Sequence, residues 1–226
     1  MKKLFSIVLM MFCALTISAQ TDVTTFLGIP VDGFKADMRK KLIAKGFTPK
    51  TVGENEFLEG EFNGRDVYVH IVTNNNKVYR IMVTDKNATD EAQIKIRFNN
   101  LCYQFEKNER YFTPEDFAIS EDEDISYEMS VQSKLYSATY FQKPNSESID
   151  ALNVAIYKEM ESKYTEEQLQ NPTEEMEKEY DRLREKMAFE LFSQKTVWFL
   201  INEYGGEYYI AMYYDNEYNK ANGEDL

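Results

Sequence analysis

One histidine and two cysteines are all that 226 residues offer of the side chains most used in metal sites and nucleophilic catalysis. Zinc sites built from several histidines or cysteines are excluded by that count. Any Ser-His-Asp or Cys-His arrangement has only His70 to use. There is no Gly-x-Ser-x-Gly elbow, no Gly-rich phosphate loop and no dinucleotide fingerprint. Cations are also in short supply: 26 Lys+Arg stand against 39 Asp+Glu, a net charge of −13. That balance argues against nucleic acid or an anionic membrane as partner, because phosphate recognition needs clustered positive charge.

What is present suffices for a core. Hydrophobic residues make up 43% of the chain and aromatics 14%, too much apolar material for a disordered chain. Lys2 and Lys3 precede an apolar run from Leu4 to Leu15, then Thr16-Ile17-Ser18-Ala19-Gln20. A basic end, a short apolar stretch and small residues predict a secretory signal peptide over 1–19. The rival reading makes Cys13 a lipidated residue, but Phe12 stands before it where a small residue is expected. The apolar run is too short for a comfortable membrane span, and no later segment is apolar enough to hold the chain in a membrane. Cleavage after Ala19 removes two lysines and no acid, which takes the charge to −15. It leaves Cys102 alone, so an exported chain must hold itself together by packing rather than by an internal disulfide. The expected location is the periplasm or the extracellular medium.

The mature chain reads as α+β. Phe34, Met38 and Leu42 mark a short helix over about 34–45, stopped by Gly46. Phe57 to Phe62, Val67 to Val72 and Val78 to Thr84 form three antiparallel strands turned at Asn63-Gly64 and Asn74-Asn75-Asn76. Ile94, Phe98, Leu101, Cys102 and Phe105 lie on one face of a second helix that begins at Thr89-Asp90. After an acidic loop over 115–124, the alternation of Ile125, Tyr127, Met129 and Val131 predicts a strand, paired with Leu135 to Phe141. Residues 146–195 carry 13 acids and 7 bases and read as a helical insertion, broken at Asn171-Pro172 with Thr173 as an N-cap. Val197 to Glu203 and Glu207 to Tyr214 make a last hairpin around Gly205-Gly206.

Residues 67–85 and 197–215 align without a gap at an offset of 130, with Val67/Val197, Ile71/Ile201, Tyr79/Tyr209, Met82/Met212 and Asp85/Asp215 identical. The expectation is a tandem helix-plus-antiparallel-meander repeat, 20–85 and 86–226, forming one sheet with helices on one face. The insertion then occupies a hairpin loop, where extra residues cost little. A two-residue turn at Gly205-Gly206 sets Trp198 and Leu200 on one face with Tyr209 and Tyr213. A three-residue turn pairs Trp198 with Tyr208, Ile210 and Met212 instead. The second face of the sheet is either covered by the insertion helices or left as an exposed Tyr/Trp surface, which marks a binding site.

Phe26-Leu27-Gly28-Ile29-Pro30-Val31-Asp32-Gly33, the Met38…Lys45-Gly46-Phe47 helix and the ending Tyr214-Asp215-Asn216-Glu217-Tyr218-Asn219 through Asp225-Leu226 resemble a group of uncharacterised secreted proteins of Bacteroides and Prevotella species. The helix-plus-meander doubling also resembles the β-lactamase-inhibitor-protein fold and the related small outer-membrane assembly lipoproteins. That likeness is architectural, and it implies a protein-binding role without transferring any binding residue.

Cys102 lies on the apolar stripe of its helix, where a thiol is inert. Glu121-Asp122-Glu123-Asp124 and the Asp215, Asn216, Glu217, Asn219 cluster lack the spacing of a calcium loop. No catalytic residue, metal ligand or cofactor is assigned. The leading expectation is an exported, non-enzymatic protein that binds a protein or glycan through the insertion or an aromatic sheet face bearing Tyr68, Trp198, Tyr209 and Tyr213. The alternative is an extracytoplasmic carboxylate-dependent hydrolase such as a glycosidase, which needs only two acids.

Overall fold

Three two-residue turns set the architecture. Asn63-Gly64, Asn75-Asn76 and Gly205-Gly206 all place both central residues at positive φ, between 48° and 84°. That conformation matches the twist of adjoining antiparallel strands and favours Asn and Gly. In the computed structural model, which describes residues 22–221, these turns join strands of one large antiparallel sheet. The expected signal peptide and its cleavage site lie outside the described residues.

A small hairpin comes first, β1 (Thr25–Phe26) and β2 (Ile29–Pro30). Helix α1 (Lys35–Ala44) leads into β3 (Thr48–Val52), β4 (Asn55–Phe62), β5 (Arg65–Asn74) and β6 (Lys77–Asp85). Helix α2 (Glu91–Lys107), capped by the Asp90 carboxylate on the Gln93 amide, leads into β7 (Tyr111–Phe112), a short α3 (Ile125–Ser130) and β8 (Ser137–Gln142). An arm of α4 (Ser146–Lys163), α5 (Glu166–Gln170) and α6 (Glu174–Ser193) follows, then β9 (Thr196–Tyr204) and β10 (Glu207–Asp215). The eight-stranded sheet runs β3-β4-β5-β6-β10-β9-β8-β7, so each helix precedes a four-stranded meander and the two meanders meet at β6 and β10.

Both leading helices lie on the same face. Met38 and Leu42 of α1 join Ile94, Phe98, Leu101, Cys102 and Phe105 of α2 in one buried cluster with Leu58, Val69, Val83, Met212, Phe199 and Ala138. Those six sheet residues are cross-strand partners in a single row. The Phe98 and Phe199 rings meet edge to face at 5.0 Å, which locks α2 onto β9. Both sheet edges are blunted against pairing: β3 contains Pro49 and buries nothing, and β7 has two residues.

Two expectations need correction. Residues 125–131 are not a strand, since 125–130 form α3. Asp124 accepts from the Tyr127 amide and starts the helix, only Ile125 is buried, and Tyr127 and Val131 are exposed. Ile125 and Met129, four residues apart, are the two that meet the core, a helical rather than an alternating spacing, and the cap starts the helix. The ungapped alignment of the two hairpins also fails to preserve faces. In β5–β6 the register shifts between Val72 and Thr73, where Val72 pairs with Arg80 and Thr73 with Val78, leaving Tyr79 without a partner. Hairpin β9–β10 has no such bulge. One extra residue reverses the side on which all later side chains emerge. Met82 and Asp85 consequently sit on opposite faces from Met212 and Asp215.

The β9–β10 register, with Tyr204 opposite Glu207 and Trp198 opposite Tyr213, is that of the two-residue turn. The arm is helical over the expected range and fills the β8–β9 connection. Its base rests on the sheet edge through Phe192 and Phe112, whose rings are 6.0 Å apart. No described helix is long and apolar enough to cross a membrane.

Candidate functional site

The face opposite α1 and α2 carries a row of large side chains. His70 of β5 lies opposite Met82 of β6, Met82 opposite Tyr213 of β10, Tyr213 opposite Trp198 of β9, and Trp198 opposite Thr139 of β8. The Phe57 ring of β4 extends the row, 5.6 Å from His70 and 5.0 Å from Tyr68. A parallel row runs Tyr68, Thr84, Ala211, Leu200 and Ser137. Tyr209 emerges on the same face, opposite Asn202. All four residues singled out from the sequence, Tyr68, Trp198, Tyr209 and Tyr213, therefore share one face, and all are half-buried. Helices packed over this face would bury these side chains fully. The insertion covers only the β7–β8 edge and leaves the central strands open.

At the centre lies a built constellation that sequence reasoning missed. Arg80 donates twice to Asp215, Nε to Oδ1 at 2.6 Å and Nη2 to Oδ2 at 2.7 Å. The Asp215 side chain is 3% exposed, and its Oδ2 also accepts from Trp198 Nε1 at 3.0 Å. Trp198 and Tyr213 stack at 4.0 Å with 16° between their planes, and the Arg80 guanidinium lies 4.9 Å from the Tyr213 centroid. The carboxylate beside it raises the Arg80 pKa above the ordinary value, so this cation is fixed. Both tryptophan and tyrosine are thereby held in one rotamer before any partner arrives. Arg80 carries no sequence signal for this role, because the bulge at Tyr79 decides its face.

The charges at the centre of this face are paired. Arg80 and Asp215 neutralise each other, and Glu59 is engaged by Lys86 and by Lys50. The hydrogen bond from Lys86 holds the Glu59 carboxyl below its ordinary range. His70, pressed among its neighbours, is pushed below the usual imidazole pKa by burial and is neutral at physiological pH.

Other candidates fall elsewhere. Cys102 is on the helix face and His70 on the open face, so the sheet separates them. Burial pushes the Cys102 thiol up to about 11, which leaves it protonated and unreactive. In the acidic loop, Glu123 binds Lys134 and Tyr136, Asp122 accepts from Ser120, and Asp124 caps α3. Among the described residues no three His, Cys, Asp or Glu side chains are arranged to hold a metal. A cleft of about 570 Å³ opens on the helix side between the tip of β4–β5, the β1–β2 turn and the end of α2. Phe105, Met212 and Tyr214 line it, and Glu61 is its one carboxylate. It offers no acid pair of the kind that hydrolyses glycosides.

No protein-family model, curated protein or solved structure matches this chain.

Proposed function

We propose that the chain is an exported, non-enzymatic binding protein that docks another protein on its open sheet face. One observation carries the reading: an uninterrupted row of large side chains, Phe57 to Trp198, crosses five strands without a helix above it. Tryptophan, tyrosine and arginine are the residues that dominate binding energy at protein interfaces. Here they form a pre-stacked, charge-neutral centre on a molecule of net charge −13. A protein fits this centre better than a glycan. Side chains stand roughly upright on a sheet, and Trp198 and Tyr213 turn one ring face each towards the other, so edges meet the partner. Sugar platforms need open ring faces.

The test is comparative capture of partners from cell envelope and medium on immobilised protein. A partner held by the wild type and lost on Tyr209→Ala/Tyr213→Ala, with folding stability checked in parallel, supports the reading. Equal capture by the variant refutes it, as does a Trp198 fluorescence fully shielded from acrylamide. Export is tested separately by finding the chain outside the cytoplasm with a new N-terminus at Gln20.

A further inference from the structure

The helical arm is thinly packed on itself. In its 20-residue helix α6 only Met176 is buried, and in α4 only Ile156 and Met160. Large apolar side chains stay in water along the same two helices: Tyr157 is 52% exposed, Val154 53%, Tyr180 39% and Phe189 67%. Near the tip Tyr157 and Tyr180 border a groove of about 390 Å³. Met160 and Met176 make its floor, Tyr157 and Tyr180 flank it, and Leu169 and Pro172 close one end. Thioether side chains adapt to the shape of an incoming apolar group, which suits a floor that must receive one.

The rim is acidic and unsatisfied. Glu177 and Asp181 line the groove one helical turn apart on α6. Like charges at that spacing repel, and neither meets a cation among the described residues. The ion pairs of the arm lie elsewhere, Lys163 with Glu159 and Glu179, Lys178 with Glu174, and Lys186 with Glu190. Lys178 and Lys186 of α6 pair with Glu174 and Glu190, and among the described residues no ion pair reaches Glu177 or Asp181.

We infer that the groove at the arm tip, floored by Met160 and Met176 and rimmed by Glu177 and Asp181, docks a cationic amphipathic helix of another protein. An apolar side chain of that helix enters between Tyr157 and Tyr180 while its lysines or arginines meet the two carboxylates, the helix-in-groove mode. A second copy of this chain is the wrong occupant, since residues 146–195 hold 13 acids against 7 bases and two such arms repel.

The experiment titrates the full mature protein into a fluorescently labelled amphipathic helix made of leucine and lysine. Binding should weaken with salt and drop by about tenfold or more in Glu177→Lys/Asp181→Lys, as for interfacial charge pairs. Tyr180→Ala should also weaken it, with helical circular dichroism unchanged in both variants. Glu115→Lys/Glu121→Lys makes the same charge change in a distant loop and should leave affinity within about twofold, since exposed charges that far apart are screened. Equal losses in the loop variant, or equal binding of a leucine–glutamate helix, would overturn the inference. So would an arm-dependent dimer in sedimentation. Tyr209→Ala/Tyr213→Ala separates this site from the sheet face: binding kept in that variant supports the arm, and binding lost there moves the peptide to the sheet.

Discussion

Replacing Arg80 with methionine keeps an unbranched apolar stem and removes the charged guanidinium. Asp215 then stays 97% buried at the side chain with one remaining side-chain donor, the Trp198 indole at 3.0 Å. Two charge-assisted bonds of 2.6 and 2.7 Å are lost together with the guanidinium beside Tyr213. Breaking a buried pair from one side costs about 3–5 kcal/mol, because the surviving charge is uncompensated. Arg80 is itself 22% exposed, so water reaches one side of the pair and the lower end, about 3 kcal/mol, is expected. Asp215→Leu added to Arg80→Met removes the stranded charge and should restore most of that loss. The assay is urea unfolding followed by circular dichroism, since the single tryptophan touches Asp215 and its fluorescence would report the local change. If Arg80→Met alone lowers stability by less than about 1 kcal/mol, the range of exposed ion pairs, Asp215 is not desolvated and the reasoning fails.

Further perturbations probe the frame around this centre. Cys102 has its ordinary thiol pKa when unfolded and about 11 when folded, so its burial stabilises the fold at neutral pH and that contribution is lost as pH rises from about 9 towards 11; the difference in stability between wild type and Cys102→Ala should narrow over that window, and the native thiol should resist a disulfide reagent that the unfolded chain consumes at once. A methyl group on Gly60 would stand 2.6 Å from the Phe47 ring, so Gly60→Ala should destabilise by about 1–3 kcal/mol in urea through overpacking, and an unchanged midpoint would mean that Phe47 is free to swing away. Deleting Tyr79 joins Val78 opposite Thr73 directly to Arg80 opposite Val72 and should keep the fold, while amide exchange rises at Asn216, whose N–H donates to the Tyr79 carbonyl at 2.7 Å; global unfolding would refute the placement of the bulge.

Legibility followed burial. The α2 stripe, the Val67–Val69–Ile71 alternation and the three turns could be read because each feeds a one-sided core or a positive-φ turn. Strand β3 was not foreseen because all five of its residues are exposed and leave no periodic signal. Residues 125–131 misled for the opposite reason: they alternate in the sequence, yet a capping carboxylate outweighs a pattern that buries only one side chain. The four aromatic site residues were found through their hairpins. Their charged partner was not, since Arg80 reaches Asp215 only because of how β6 lies against β10, a long-range fact with no local signature.

The bulge explains how the two hairpins can look alike in sequence and differ in use. At the offset of 130, Met82/Met212 and Asp85/Asp215 match, but the structure sends the members of each pair to opposite faces. Asp85 receives Arg97 from α2 on the helix side, with Arg97 Nε 2.6 Å from Oδ2. Asp215 receives Arg80 on the open side at 2.6 Å. Two identical residues at equivalent strand ends thus do different jobs: one ties a helix to the sheet, the other organises the exposed aromatic stack. A gap at Tyr79 brings the faces back into agreement and matches buried Ile81 with buried Ile210, at the expense of those two identities and of Tyr79/Tyr209. Strand composition alone produces coincidences of this kind, so aligned letters and shared faces need not agree. The open face draws on both halves, with Phe57, His70 and Met82 on β4, β5 and β6. Its stacked centre is built by Trp198 of β9 with Tyr213 and Asp215 of β10, fixed by Arg80 of β6.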